Sequence, residues 1–357
     1  MKGLYIHIPF CRRKCFYCDF ISVAYTENLA DEYLNALEKE ALKYKNESFE
    51  TVYIGGGTPS VLSVKQLSHL ISIIKNNFNI SHHCEWSFEA NPESTTKEKL
   101  EFLLSSGITR LSFGLQSASD DKLTILGRLH NYEQFKKVYF VARNVGFDNI
   151  NIDLMFGIPE QNIDDWRNTL TEVLSLKTQH ISLYPLTVEE GTVFYKNNFS
   201  VNTDLQAEMY KMTCDILKNN DFEHYEISNW AREQKYSRHN KLYWQNREYI
   251  GLGTSAASYY KRYRYKNDPD ILKYIEDTLN GKDTVTEKEF IDDELYEKET
   301  IMLGLRLSDG VDIKYFKNKK DVLEKYIGEK LLTVKNGKVS FPETSLFVSN
   351  SILSEFI

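Results

Sequence analysis

An α/β fold is predicted for this chain: a partial (β/α)6 barrel of the TIM type, followed by a small helical, winged-helix-like domain. Three observations predict it. Six β-rich runs alternate with helical patterns. Their spacings, roughly 25–50 residues, suit a barrel better than a fixed-period solenoid. The polar and glycine-rich motifs fall where these strands end, which is where barrels of this type collect their chemistry.

The strand candidates are residues 4–10, 51–56, 85–90, 110–116, 149–157 and 180–188. Between them, 27–44, 64–78, 97–105, 132–145 and 163–176 carry apolar residues at helical spacing. A further helix near 204–218 follows the sixth strand, and 120–126 reads as a short helix that ends with Arg128 near the barrel mouth. Strands alternating with helices imply parallel pairing with right-handed crossovers. After Glu226 the pattern changes. Residues 227–265 are rich in aromatics, Arg, Asn and Gly and give no clean assignment; 266–282 suggests a helix and a linker. Helical patterns at 292–305 and 314–329 then precede a hairpin near 332–341. The expected division is a barrel over 1–226, a connecting segment over 227–285 and a C-terminal domain over 286–357.

A chain of 357 residues suits one large domain and one smaller one. Its 44 basic and 51 acidic residues give a net charge of −7, so no basic field exists to hold nucleic acid non-specifically. No apolar run reaches the ~18–20 residues of a spanning helix. The start runs straight into a cysteine motif without the regions of a signal peptide, so a cytoplasmic protein is expected. Five cysteines are too few for a disulfide framework. Three of them cluster, which in a reducing compartment points to a metal or to catalysis.

That cluster is Cys11-Arg-Arg-Lys-Cys15-Phe-Tyr-Cys18, just after a strand ending His7-Ile8-Pro9-Phe10. Three thiolates on one short loop can ligate three corners of a [4Fe–4S] cubane, leaving the fourth iron open to a small molecule. The alternative is structural zinc, which wants four closed ligands and would need His7 as the fourth. Arg12, Arg13 and Lys14 favour thiolates and anions, or are simply a solvated charge run. After the second strand comes Gly55-Gly56-Gly57-Thr58-Pro59: a tight turn, or a backbone cradle that a ligand can approach closely. Glu89 and Gln116 end the third and fourth strands, and Asp153 lies within the fifth. Facing inward, such groups need either protein partners or a polar ligand.

The stretch from Tyr5-Ile-His-Ile-Pro-Phe-Cys11 to Tyr17-Cys18-Asp19-Phe20 resembles the opening of one radical-SAM family. That family contains the oxygen-independent coproporphyrinogen III dehydrogenase and a haem-chaperone relative, and the resemblance runs over essentially the whole chain. It implies a radical-SAM barrel with a [4Fe–4S] cluster on Cys11, Cys15 and Cys18. The open iron would be chelated by S-adenosylmethionine, whose C–S bond is cleaved by an electron from the cluster. It further implies that Gly56, Gly57 and Thr58, as part of a GGGTP motif, meet the amino-acid end of that cofactor. Glu89, Gln116, Arg128 and Asp153 would hold its nucleoside and methionine parts. Tyr5 matches a tyrosine near the cofactor, and core packing explains it equally well.

His239-Asn240-Lys241-Leu242-Tyr243-Trp244 looks like the H-N-x-x-Y-W motif of the haem-chaperone branch. The resemblance implies haem-iron ligation by His239, aromatic faces from Tyr243 and Trp244, and propionate contacts from Arg238 and Lys241. From the residues alone, a satisfied core or surface histidine is the plainer reading. His224 and Tyr225 form a secondary pair read as structural. Cys84 and Cys214 read as buried thiols without metal spacing, and His82 and His83 as loop residues. Ala257, in Gly251-Leu-Gly-Thr-Ser-Ala-Ala-Ser258, stands where the family often carries a histidine.

Two function classes follow. In one, the protein is a haem chaperone that passes haem to client haemoproteins. In the other, it is a radical-SAM enzyme acting on a porphyrinogen, such as the dehydrogenase. Phe20, standing where the dehydrogenase carries a further cysteine, and the short lead before Cys11 favour the chaperone. The family also suggests a homodimer and peripheral contact with membrane-bound haemoproteins, though no amphipathic anchor demands either.

Overall fold

The structure is a computed structural model describing residues 2–356. Six strands, β1 (Gly3–Ile8), β2 (Ser48–Gly56), β3 (Asn79–Ala90), β4 (Arg110–Gln116), β5 (Ile150–Phe156) and β6 (His180–Pro185), pair in parallel in chain order. The helices around them are α1 (Glu27–Ala41), α2 (Val64–Asn77), α3 (Lys97–Ser105), α4 (Asp120–Ile125), α5 (Tyr132–Val145), α6 (Ile163–Ser175) and α7 (Thr203–Lys218). Capping boxes at Ser63/Gln66, Asn131/Gln134 and Asn162/Asp165 start α2, α5 and α6. Each satisfies backbone donors that a helix start leaves free, at about 1 kcal/mol per cap.

Strand alternation divides the residues. Leu4, Ile6, Ile8, Val52, Ile54, Phe88, Leu111, Phe113, Ile152, Leu154, Ile181 and Leu183 are buried in the apolar core. The alternate positions are polar: Thr51 and Tyr53, Glu85 and Glu89, Arg110 and Ser112, Asn151 and Asp153, His180 and Ser182. Because side chains alternate faces with period two, one face of the sheet packs on helices and the other lines a polar interior.

The stretch without a clear sequence assignment is stitched into this sheet. Its elements are β7 (Glu223–Glu226), β8 (Asn229–Ala231), α8 (Arg238–Trp244), β9 (Tyr249–Leu252), β10 (Ala257–Tyr260), β11 (Tyr263–Asn267), α9 (Ile271–Leu279) and β12 (Val285–Phe290). Strand β9 pairs in parallel with β1, β10 to β12 follow antiparallel, and beyond β6 come β8 and then β7, both antiparallel. The result is a twelve-stranded sheet. Residues 227–285, expected as a connecting segment, therefore complete the barrel sheet. His82 and His83, expected in a loop, lie in β3, which starts earlier than the apolar pattern suggests.

The C-terminal region has its own apolar core, including Ile301, Leu305, Phe316, Leu323, Val339 and Phe356. It contains α10 (Asp293–Gly304), β13 (Val311–Asp312), α11 (Lys320–Gly328), β14 (Thr333–Lys335), β15 (Lys338–Ser340) and α12 (Ser349–Leu353). The expected hairpin is β14–β15, turned by Asn336 and Gly337 at φ 53° and 75°. Two successive left-handed residues make the turn that suits strand twist. Strand β13 adds a third, antiparallel member. Among the described residues, no helix is long and apolar enough to cross a membrane.

Candidate functional site

The cysteine loop is pinned at both ends. Val23 N–H donates to Pro9 O at 2.8 Å and Tyr25 N–H to Cys11 O at 3.0 Å, closing a two-residue parallel pair. Just beyond the end of α4, the Gly127 carbonyl accepts from Arg13 at 2.8 Å, and Phe16 packs where any Cβ on Gly127 would sit. Gly127 has φ +75°, a conformation glycine adopts without penalty.

The glycine-rich turn lies against the same loop. Gly57 N–H donates to Ile8 O at 2.9 Å and Thr58 N–H to Phe10 O at 2.8 Å. A Cβ on Gly57 would lie 2.9 Å from both the Ile8 and Phe10 carbonyl oxygens, and one on Gly55 would lie 2.8 Å from the Glu89 carboxyl carbon. The turn has no room for side chains at these two positions.

Cys11, Cys15, Cys18, Gly56, Gly57, Thr58, Glu89, Gln116, Arg128 and Asp153 all line one cavity of ≈ 540 Å³ at the carboxyl end of the strands. That volume is in the range of small-molecule and cofactor sites. Tyr5 stands behind this lining: its hydroxyl meets His7 Nδ1 at 2.9 Å and its ring lies 6.3 Å from that of Tyr53, which does line the cavity.

Polar groups converge there from four strands. Glu89 accepts from Tyr53 OH at 2.7 Å and Gly56 N–H at 3.1 Å. Burial first, and then neighbouring Asp153, push its carboxyl up to about 7. Asp153 accepts from Asn151 at 2.7 Å and Ser112 at 3.1 Å, and burial raises its pKa as well. Arg128 donates to Gly114 O at 2.6 Å, Asn91 Oδ1 at 2.7 Å and Cys15 Sγ at 3.4 Å. Its Nε and that of Arg110 are buried without a partner. Gln116 has φ +74° at a register shift between β4 and β5, and strain of this kind gathers at ligand sites.

Sequence reasoning missed Tyr53, Asn91, Arg110 and Asn151. Their signal is the alternation itself: each of the three strand residues lies an even number of positions from a residue already singled out.

The thiols fit a cluster better than a single zinc ion. Both His7 ring nitrogens are engaged, with Tyr5 OH at 2.9 Å and Ile21 O at 3.2 Å, so no fourth donor stands ready. Among the described residues, the three donors that converge within 4.8 Å of one another are Cys214, His224 and Glu343, not the amino-terminal cysteines. Burial pushes Cys18 up to about 11 and raises Cys11, while Lys14 and Arg128 respectively draw them back. Arg128, which donates to Cys15 Sγ and keeps a buried Nε without a partner, suits an anionic cluster and a carboxylate ligand.

His239 is placed differently from the expectation. Its ring is fully buried, with Nδ1 at 2.8 Å from Thr51 Oγ1 and Nε2 at 2.8 Å from Tyr243 OH. The Glu85 carboxylate accepts from the backbone N–H of Arg238 and of His239, both at 3.0 Å, and so anchors the start of α8. Arg238 donates to His83 O at 2.7 Å and Lys241 pairs with Asp309 at 3.1 Å. In this structure α8 plugs the barrel interior, with Asn240 on the cavity wall. As placed, neither ring nitrogen of His239 is free for an outside ligand. His224 and Tyr225 do not line this cavity, nor does Ala257, the first residue of β10.

A parallel partial barrel with three cysteines and a glycine cradle at one cavity mouth defines a radical-SAM protein, and residues 5–173 match the model of the Radical SAM superfamily. That superfamily carries a [4Fe–4S] cluster and S-adenosylmethionine. The chain is 36% identical to the heme chaperone HemW of Lactococcus lactis subsp. lactis, over 95% of this chain and 91% of the relative. It is 39% identical to the HemW of Bacillus subtilis, over 89% and 87% respectively. The solved coproporphyrinogen III oxidase HemN of Escherichia coli shares the fold, with a TM-score of 0.87 at 20% identity over 99% of this chain and 89% of that one. This chain belongs to the HemW family of radical-SAM proteins.

Proposed function

We propose that this protein is a cytoplasmic haem chaperone that binds a [4Fe–4S] cluster, S-adenosylmethionine and haem, and delivers haem to client haemoproteins. Cys11, Cys15 and Cys18 hold the cluster. Gly56, Gly57 and Thr58 present backbone and hydroxyl groups to the amino-acid end of the cofactor. Glu89, Gln116, Arg128 and Asp153 hold the rest, with Tyr5 supporting Tyr53 from behind. The chemistry that a cluster held by these three cysteines would supply is one-electron reduction of the cofactor's sulfonium. Arg128 balances charge at Cys15, and Glu89 offers a buried carboxyl whose pKa is raised to about 7.

The observation that carries this reading is the single cavity joining three thiols to a polar ring, in a chain whose relatives named haem chaperones align over most of its length. Haem ligation by His239 is part of the proposal in one form: α8 releases from Glu85 and turns its histidine outward. Clients, homodimer formation and contact at membrane surfaces belong to the same reading. The test is anaerobic reconstitution followed by parallel haem titration and coproporphyrinogen III conversion with reductant and S-adenosylmethionine. Haem binding without conversion supports the chaperone; conversion by the clustered protein would move the assignment to the enzyme reading.

A further inference from the structure

We propose that Cys214, His224 and Glu343 form a second metal site, for a divalent cation of the zinc class, joining the barrel to the C-terminal region. One ligand atom from each lies within 4.8 Å of the others. Thiolate, imidazole and carboxylate together are a zinc-type donor set. Cys214 lies on α7, His224 on β7, and Glu343 in the turn before α12.

The histidine is arranged as metal-ligating histidines are. Its Nε2 faces the Ile227 carbonyl at 3.2 Å, and since a carbonyl only accepts, Nε2 carries the proton. Nδ1 is left with a lone pair, buried and without a partner. The ring is fixed by stacking on Trp230, with centroids 4.0 Å apart and planes 10° from parallel. An outer N–H given to a backbone carbonyl sets the tautomer that frees the other nitrogen for a metal.

A tetrahedral zinc needs its donors about 3.5 Å apart, so the set must contract. The contraction falls on Glu343, the exposed member, whose partner here is the exposed Lys218 at 3.5 Å. Exposed pairs of this kind hold weakly. Glu226 shares the same cavity of ≈ 350 Å³, but its carboxylate already accepts from Ser228 N–H and Asn229. The cavity leaves space for water as fourth ligand. Binding would replace the Cys214 S–H bond by a metal–sulfur bond and release that proton to solvent.

The experiment uses the full chain with Cys11, Cys15 and Cys18 replaced by alanine, so that those thiols do not compete. Calorimetric titration with Zn²⁺ should give one ion per chain. Glu343→Gln, at an exposed position that leaves the core alone, should weaken binding more than tenfold. Co²⁺ should give a thiolate-to-metal absorption band that Cys214→Ser removes. No zinc uptake, or uptake unchanged by Glu343→Gln, overturns the proposal, as does cobalt binding without a thiolate band. Should Cys214→Ser fail to fold, the Glu343→Gln titration decides alone.

Discussion

Glu89→Gln should make the empty protein more stable at alkaline pH while weakening its hold on S-adenosylmethionine. Burial and Asp153 raise the Glu89 carboxyl from 4.5 to about 7. The folded state therefore binds this proton more tightly than the unfolded chain does. Stability falls as pH rises from the unfolded value through the folded one, then levels off. At about 1.4 kcal/mol per tenfold, keeping Glu89 ionised costs the fold about 3 kcal/mol above pH 7. Glutamine removes that cost and still accepts from Tyr53, but its NH₂ cannot accept from Gly56 N–H, a loss of about 1 kcal/mol. The net expectation is a gain of about 1–2 kcal/mol at pH 8.5 and a loss of about 1 kcal/mol at pH 4.5. Urea unfolding of metal-free wild type and variant at both pH values measures this, and calorimetry on clustered protein measures cofactor affinity. Equal destabilisation at both pH values would refute the reasoning, because Glu89 would then act as an ordinary neutral hydrogen-bonding group.

Cys15→Ala should lose most bound iron yet remain folded, since the cysteine loop packs at the barrel mouth outside the main core; iron analysis with circular dichroism checks this. Gly57→Ala places a methyl 2.9 Å from two carbonyl oxygens, so stability should fall by about 1–3 kcal/mol and cofactor affinity should drop, by thermal melts and calorimetry. Glu85→Gln removes a charged cap of about 1 kcal/mol from α8 and should tighten haem binding about fivefold, whereas His239→Ala should weaken it. Both substitutions loosen the same helix, so haem titrations that shift in the same direction would exclude His239 as an iron ligand.

Contiguous motifs were the legible part of this chain. The cysteine spacing, the glycine turn and the strand-end residues Glu89 and Gln116 lie on short stretches whose geometry is local. What stayed hidden depends on distant pairing. Strand β9 joins β1 from the far end of the chain, so 249–252 gives no local sign of belonging to the parallel sheet. The place of α8 is set by Glu85 on β3, and His239 turns inward because Thr51, Tyr53 and Tyr243 surround it. Motif resemblance fixes residue identity at such a position, while burial is decided by those remote neighbours. Cys214 shows the same limit, since its converging partners lie on β7 and in the C-terminal region.

The most direct test of the cofactor site is electron paramagnetic resonance of the anaerobically reconstituted, reduced protein, recorded with and without S-adenosylmethionine. A [4Fe–4S] signal whose shape changes on adding S-adenosylmethionine, and which is lost in Cys15→Ala, is the predicted result. A signal indifferent to that addition, or a preparation that takes up zinc and no iron at Cys11, Cys15 and Cys18, would contradict it.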